Sequence, residues 1–372
     1  MNGISAIEHV DHVGSLVRPA ELIQAWKAQE ADEISQQELT DLTDGLIKEV
    51  VRFQEGLGLQ VVTDGEFRRG AWSAGFTAAV DGFERIPAGL IFRDGSGNEN
   101  PSPSQKCVAP LNRSRPIVAD DFRFLAGVTS VTAKVTMPTP SMYHMGHFDD
   151  VFTGVYSSRE EYLAVLVSIY RAEIADLADA GCEFLQLDEV PVALLCDPNI
   201  QDMARRAGCD PEELFDDYIA ATNEAIAKKP STMKVAMHLC RGNQAGRWMG
   251  DGGYAPAADR LFNNARVSAY LMEYDTPRAG DFQPLRYLPA GKLAYLGLVS
   301  TKNPETESKD ELVRRLEEAS KFAPIEQLGL TTQCGFGTVG TGVNTGRPNP
   351  MTADTQRAKL ERMIEVAEQV WG

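Results

Sequence analysis

Short apolar segments alternate with longer amphipathic stretches along the whole chain. Eight segments are rich in apolar and β-branched residues without strict alternation, as is typical of parallel strands covered on both faces. They span 9–17, 59–67, 132–139, 182–190, 233–240, 269–276, 293–301 and 328–336. Helical patterns separate most of them, most clearly at 159–180, 308–322 and 352–370. The second of these opens with a serine cap and an acidic first turn.

The repeated alternation predicts one domain, a (β/α)8 TIM barrel that spans residues 1–372, because no all-helical or all-strand block interrupts it. A doubly wound open sheet is the alternative. It is disfavoured because no GxGxxG turn follows an early strand.

Two stretches depart from the alternation: 84–126, which is rich in proline, glycine and serine, and 242–258, which is rich in glycine. We interpret both as loop insertions, and the first is also compatible with a β-hairpin over the C-terminal mouth of the barrel. The sequence leaves open whether they are lids or solvated insertions.

Charge and composition exclude several classes of function. With 36 Lys and Arg against 53 Asp and Glu, the formal net charge is -17, which repels nucleic acid and anionic lipid. No stretch has the ~18–20 apolar residues of a membrane span, and no basic-then-apolar leader opens the chain. We therefore expect a cytoplasmic protein. Six cysteines in 372 residues are too few for a disulfide framework, so a special cysteine would be a metal ligand or a nucleophile.

Unusual polar residues end three of the predicted strands. His238 and Cys240 end the fifth, Glu273 ends the sixth and Cys334 ends the eighth. In TIM barrels the C-terminal strand ends carry the functional groups, and residues two apart on a strand point to the same side. Imidazole, thiolate and carboxylate together suit Zn²⁺. From the pattern alone, buried cysteines that act only as small apolar residues remain an alternative.

The motifs HVGSLVRP, VTDGEFRRG, RAEIADLADAGCEFLQLDEVP, HLC, MEYD and TTQCGFGT run along nearly the whole chain. Together they resemble the catalytic domain of cobalamin-independent methionine synthases, especially the short single-domain bacterial members of that superfamily. The resemblance implies that His238, Cys240, Glu273 and Cys334 are the ligands of a zinc ion.

The resemblance also implies contacts with the amino acid part of homocysteine. Val13 and Ser15 match a segment of the first strand, and Glu66 and Asp188 match the carboxylates that hold the ammonium group. Two neighbouring carboxylates repel each other unless a cation lies between them. A salt bridge to an arginine is the alternative for each carboxylate. The candidate partners are Arg18, Arg68 and Arg69.

The reaction implied by the resemblance is zinc-dependent methyl transfer to homocysteine, which forms methionine. Only a thiolate is a good nucleophile, and zinc lowers the pKa of a thiol. The expected donor is methyltetrahydrofolate or a methylcorrinoid. Ser300 and Lys302 replace the Asp-x-His segment that in the long enzymes helps to protonate the folate. We therefore expect Lys302 to be the catalytic acid or to contact an anionic substrate; a solvated lysine is the alternative.

Two other functions stay open at this point. One is a zinc-dependent alkyltransferase for another substrate pair, such as an epoxide and coenzyme M. The other is a zinc-stabilised binding protein without catalysis. The expected partners are a small-molecule thiol and a methyl donor, with no nucleic acid and no membrane. A homo-oligomer and a corrinoid protein are the protein partners that the sequence leaves open.

Overall fold

A computed structural model describes residues 6–339 and 345–372. The strands are β1 (Val10–Asp11), β2 (Val61–Val62), β3 (Val80–Arg93), β4 (Glu99–Arg113), β5 (Thr132–Pro138), β6 (Phe184–Asp188), β7 (Lys234–Leu239), β8 (Ala269–Glu273), β9 (Leu293–Val299) and β10 (Leu328–Thr332). The helices are α1 (Ala20–Glu30), α2 (Gln36–Gly56), α3 (Ala74–Ala79), α4 (Ala119–Ala126), α5 (Arg159–Asp179), α6 (Val190–Leu194), α7 (Pro198–Arg206), α8 (Pro211–Ile226), α9 (Ala258–Asn264), α10 (Lys309–Ala319) and α11 (Ala353–Trp371).

Eight strands form a parallel sheet in the order β1-β10-β9-β8-β7-β6-β5-β2. Every one of the eight predicted strand segments contributes one of these strands. The first and last strands in this order, β1 and β2, are connected by hydrogen bonds just beyond their ends. Leu16 N donates to Gly65 O at 3.1 Å, and Thr63 Oγ1 donates to Gly14 O at 2.7 Å. The sheet is therefore a nearly closed barrel with helices between its strands, and the predicted (β/α)8 fold is confirmed.

Side-chain caps begin several of the surrounding helices where the sequence indicates. Ser308 accepts a hydrogen bond from Glu311 N at the start of α10, and Ser158 accepts one from Glu161 N at the start of α5. Each cap satisfies a backbone N–H that has no partner within the helix. The three helices predicted most clearly correspond to α5, α10 and α11.

The two stretches that depart from the alternation differ in structure. The stretch 84–126 contains most of an antiparallel hairpin of β3 and β4, followed by α4, whereas 242–258 is an irregular loop between β7 and α9. The two stretches meet where Arg93 N donates to Trp248 O at 2.8 Å and Trp248 N donates to Arg93 O at 2.9 Å. Hairpin and loop thus form one connected cover over the C-terminal strand ends.

A buried ion pair lies inside the barrel. Lys134 of β5 and Asp11 of β1 are both nearly inaccessible, and Lys134 Nζ lies 2.6 Å from Asp11 Oδ1. A lysine can be buried at low cost only with such a partner. Across residues 6–339 and 345–372, no helix combines the length and apolar composition that crossing a bilayer requires.

Candidate metal and substrate site

Three of the predicted metal ligands lie together at the C-terminal end of the barrel. The donor atoms of His238, Cys240 and Cys334 all lie within 4.8 Å of one another, and the two Sγ atoms are 4.0 Å apart. His238 lies on β7 and Cys240 directly follows that strand, so alternation turns both side chains to one side. The segment after β10 brings Cys334 to meet them. The fold therefore joins donors that are 94 residues apart in the chain.

The donor set fits a zinc ion. Nδ1 of His238 lies 3.1 Å from Leu271 O, which favours the tautomer with the proton on Nδ1 and the lone pair on Nε2. Nε2 is buried without a hydrogen-bond partner among the described residues. Two sulfurs bound to one tetrahedral zinc would lie ~3.8 Å apart, close to the separation found here.

The charges of these three groups depend on one another. A hydrogen bond from Cys334 and the neighbouring His238 hold the pKa of Cys240 well below its usual value. The same hydrogen bond to Cys240, together with burial, raises the pKa of Cys334. Burial by itself would lower the pKa of His238. The attraction of the Cys240 thiolate is stronger, so the pKa of His238 is raised overall. The cluster thus favours a thiolate at Cys240, which is the form that binds metals.

Glu273, the fourth predicted ligand, is held elsewhere. Its Oε2 accepts a hydrogen bond from Arg241 N at 2.6 Å, and its Oε1 contacts Arg278 and Lys302. Burial opposes ionisation of Glu273, but Lys302, Arg278 and Arg241 prevail and hold its pKa far below the usual range. The structure therefore brings three of the four predicted ligands into one cluster and leaves Glu273 beside three cations.

Lys302, the predicted acid, is paired with two carboxylates. Its Nζ lies 2.9 Å from Glu273 Oε1 and 3.4 Å from Asp275 Oδ2, and Lys302 is absent from the described cavity lining. Its ammonium group is thus occupied by two buried carboxylates.

A cavity of about 590 Å³ opens beside the cluster, a size that holds a drug-sized ligand. The cluster residues and all four predicted substrate residues line this one cavity. The four predicted substrate residues are Val13, Ser15, Glu66 and Asp188. The tertiary structure thus brings the predicted thiol and amino acid contacts to one space.

Glu66 has one occupied and one unpartnered carboxylate oxygen. Its Oε1 lies 2.8 Å from Arg69 Nη2 and accepts from Thr136 Oγ1 at 2.8 Å, so the alternative of a salt bridge to Arg69 is found. Its Oε2 is buried with no hydrogen-bond partner among the described residues. Glu66 also has a positive φ of 60°, a conformation that is uncommon outside glycine and concentrates at functional sites. This Oε2 oxygen could therefore accept a hydrogen bond from a ligand.

Asp188 is the second carboxylate of the cavity. Gln186 Nε2 donates to Asp188 Oδ1 at 2.8 Å. Burial raises the pKa of Asp188 to about 7, because the charged form loses its hydration. A cationic ligand group would offset that loss.

The segment after β1 packs against the segment that carries Cys334. Ser15 Oγ accepts from Gly337 N at 3.2 Å, and Ser15 O accepts from Phe336 N at 2.8 Å. A Cβ at Gly335 would lie 1.9 Å from Ser15 Oγ, so only glycine permits this approach. The structure thereby couples Ser15 to the Cys334 segment. Val13, by contrast, bonds within the barrel: its N–H donates to Thr332 Oγ1 at 3.3 Å.

Sequence reasoning missed several residues of this region. Arg278 contacts Glu273 from a short turn after β8, and no motif indicates it. Gln186 lies two residues before Asp188 on β6, where strand alternation could have indicated it. Phe92 and Met249 line the cavity from the hairpin and the glycine-rich loop, and only the fold brings them there.

Comparison with known proteins finds a matching family model and relatives that are similar over most of the chain. The family model for the catalytic domain of cobalamin-independent synthases matches residues 10–369. An uncharacterised Bacillus subtilis protein, YxjH, is 34% identical over 97% of this chain and 94% of its own length. A methionine synthase of Pyrococcus abyssi is 25% identical over 87% of this chain and 85% of its own length.

A solved structure from Listeria monocytogenes, described as a candidate vitamin-B12-independent methionine synthase, is similar over the whole chain. Its TM-score is 0.76 with 30% identity, and the match covers 100% of this chain and 98% of that chain.

Proposed function

The chain belongs to the cobalamin-independent synthase catalytic-domain family and is a methyltransferase-like enzyme, and on that premise we propose that it methylates the thiol of homocysteine to form methionine. One observation carries the proposal. The His238, Cys240 and Cys334 cluster opens into the same cavity as Glu66 and Asp188. A soft-metal site and a site for an ammonium group are what an amino acid thiol requires.

His238, Cys240 and Cys334 would hold the zinc ion, and Glu273 remains the proposed fourth ligand. When bound, zinc lowers the pKa of a thiol at its open position, which yields a nucleophilic thiolate near neutral pH. Leu271 O orients the His238 ring through Nδ1. Arg278 and Lys302 keep Glu273 ionised, and to bind the zinc Glu273 would have to exchange a contact with these cations for the metal.

The amino acid end would be recognised by the residues around β1, β2 and β6. The unpartnered Oε2 of Glu66 and the carboxylate of Asp188 would accept the ammonium group, since a buried carboxylate gains most from a cationic partner. Arg69 and Gln186 act as positioning residues for these two carboxylates. Ser15 would contact the carboxylate of the amino acid, with Val13 shaping the cavity beside it.

The epoxide and coenzyme M alternative is less well supported. A sulfonate acceptor would need Arg or Lys near the metal ligands. Among the described residues that line the cavity, Arg85 is the single Arg or Lys, and it is an exposed residue of the hairpin. Two buried carboxylates favour an acceptor with an ammonium group instead.

Cobalt substitution tests the proposal directly. Homocysteine added to the cobalt-loaded protein should shift the sulfur-to-cobalt charge-transfer band, while butanethiol, which lacks the amino acid group, should need a far higher concentration. Methionine should then form when methyl donors are supplied. If homocysteine left the cobalt spectrum unchanged, the proposal would be refuted and a binding protein without catalysis would be favoured.

A further inference from the structure

We propose that Arg278 is a positioning residue that couples the cover over the cavity to Glu273, the proposed fourth metal ligand. With the cover in place, Arg278 holds the Glu273 carboxylate, which leaves one position of a bound metal free for the thiol. When the cover moves away, Arg278 holds Glu273 less strongly, and the carboxylate takes that position itself. The inference rests on the proposed function, since it requires a metal at the cluster and a thiol acceptor.

On one side, Arg278 pairs with Glu273. Arg278 lies in the short turn Pro277–Ala279 after β8, and Glu273 is the last residue of that strand. Nη2 of Arg278 contacts Oε1 of Glu273, whose side chain is fully buried, while the arginine side chain is 11% exposed. The attraction between two charges grows as water is removed from them. Arg278 therefore restrains the position of the Glu273 carboxylate.

On the other side, Arg278 is bound to the glycine-rich loop at three alternate residues. Its Nη1 donates to Gly250 O at 3.1 Å, and its guanidinium carbon lies 4.9 Å from the centroid of the Trp248 ring. Gly252 N donates to Arg278 O at 3.1 Å. A planar guanidinium can stack on an aromatic ring and still pair with a carboxylate, which an ammonium group does less well. Arginine thus suits a contact that joins the loop to Glu273.

The turn that carries Arg278 packs directly against this loop. A Cβ at Gly280 would lie 2.5 Å from Gly253 Cα, so only glycine permits this approach. The Asp251 carboxylate extends the connection to the hairpin, since its Oδ1 lies 3.9 Å from Arg278 Nε and its Oδ2 lies 2.7 Å from Arg93 Nη2. Arg278 therefore contacts the loop directly and the hairpin through Asp251.

The cover also lines the cavity, so it can respond to a ligand. Phe92 of the hairpin and Met249 of the loop are both lining residues, and they meet over Gly242, where a Cβ would lie 2.8 Å from each side chain. A ligand in the cavity would contact both and stabilise the cover in place. Trp248, which contacts Arg278, is not among the described residues that line the cavity. Its contribution to thiol binding would therefore be indirect.

Lys302 pairs with the same oxygen of Glu273 but differs in its other contacts. The described contacts of Lys302 Nζ are to Glu273 and Asp275, and neither residue belongs to the cover. Movement of the cover would take Trp248 and Gly250 O away from Arg278 and expose it to water, which weakens an ion pair. Glu273 can then exchange Arg278 for the metal.

Thiol binding to the cobalt-loaded protein measures this coupling. Trp248→Leu removes the ring that Arg278 stacks on, so the Kd for homocysteine, read from the charge-transfer band, should rise about tenfold, within the usual range for coupled sites. Trp248→Phe keeps an aromatic face and should restore most of the affinity. Tyr287→Leu is the matched control, because it removes a contact of the same kind, between Tyr287 and Arg286 at 4.8 Å. An unchanged Kd in Trp248→Leu would overturn the inference.

A double-mutant cycle shows whether the effect passes through Glu273. In protein that carries Glu273→Gln, no carboxylate competes with the thiol, so adding Trp248→Leu should not weaken homocysteine binding further. Arg278→Lys and Trp248→Leu should also change the visible absorption of the thiol-free cobalt protein, because Glu273 then binds the metal. If Trp248→Leu raised the Kd equally with and without Glu273→Gln, its role would be structural and the inference would be refuted.

Hydrogen exchange of the metal-free protein tests the same link without catalysis. Glu273→Gln removes the carboxylate that holds Arg278, so the amides of residues 248–252 should exchange about tenfold faster by the reciprocity of coupled sites. Amides of α5 should keep the wild-type rate, which distinguishes this change from global unfolding. Unchanged exchange at 248–252 would contradict the inference. Failure of homocysteine to bind the wild-type cobalt protein would instead count against the proposed function, and the exchange rates would still decide whether Arg278 links Glu273 to the loop.

Discussion

Lys302 Nζ lies 2.9 Å from Oε1 of Glu273, so the expected acid and the expected fourth zinc ligand are paired with each other. Lys302 also lies 3.4 Å from Asp275, and Arg278 contacts the same oxygen of Glu273. Both carboxylates are fully buried. The pair therefore links β8 to the segment after β9.

Removing the lysine should affect stability and metal binding more than proton transfer. Lys302→Gln leaves Glu273 and Asp275 with less balancing charge, and the free energy of unfolding should fall by about 3 kcal/mol. Urea denaturation measures this change, and Lys321→Gln, on an exposed lysine, is the control. The basic limb of the pH–rate profile should be retained. A profile that loses that limb would identify Lys302 as the acid after all.

Either cysteine of the cluster should be required for zinc. Cys240→Ser and Cys334→Ser each remove a thiolate, and zinc affinity should fall by more than the ~100-fold that loss of a ligand's hydrogen-bonding partner can cost. Competition with a chromophoric chelator measures the affinity. Cys182→Ser is the control, since Cys182 is buried after α5 and donates to Phe184 O. Full zinc affinity in both cluster variants would contradict the assigned ligands.

The two cavity carboxylates should act on the ammonium group alone. Glu66→Gln and Asp188→Asn should each raise the KM for homocysteine by roughly 10- to 100-fold, because hydrogen bonds to charged groups contribute ~1.5–3 kcal/mol. The KM for 4-mercaptobutanoate, which lacks the amine, should barely change, and Glu21→Gln on the surface of α1 is the control. Equal losses for both thiols would assign these residues a structural role instead.

His12 should contribute to the acid sensitivity of the folded protein. Burial, with Lys134 nearby, lowers the pKa of His12 to about 4 from 6.5. As the pH falls, His12 therefore takes up a proton in the unfolded chain at a higher pH than in the folded protein. The free energy of unfolding falls as the pH drops below 6.5 toward 4. This contribution should reach about 3 kcal/mol.

Urea denaturation at a series of pH values isolates the His12 contribution. His12→Gln should show a shallower loss of stability between pH 6.5 and 4 than the wild type. Parallel curves for wild type and His12→Gln would show that the proton goes elsewhere.

The local sequence pattern predicted the positions of the barrel strands and of the clearest helices, but it did not settle the structure of the inserted stretches. All eight barrel strands lie within the predicted segments, because parallel strands covered on both faces must be apolar. The ordered hairpin was only an alternative in a stretch rich in proline, glycine and serine. Its β3 and β4 are stabilised by pairing with each other and by contact with the Trp248 loop, and such contacts leave no clear periodicity.

The sequence by itself determined the barrel, the HxC pair at the end of β7 and the placement of Cys334 near the end of β10, since these depend on hydrophobic periodicity and on strand alternation. Only the tertiary structure decided that Glu273 faces Arg278 and Lys302, that one Glu66 oxygen has no hydrogen-bond partner among the described residues, and that Phe92 and Met249 reach the cavity beside the cluster. The reason is physical. Periodicity is set by neighbours along the chain, whereas the partner of a buried charge is whichever opposite charge the packing brings within a few ångströms.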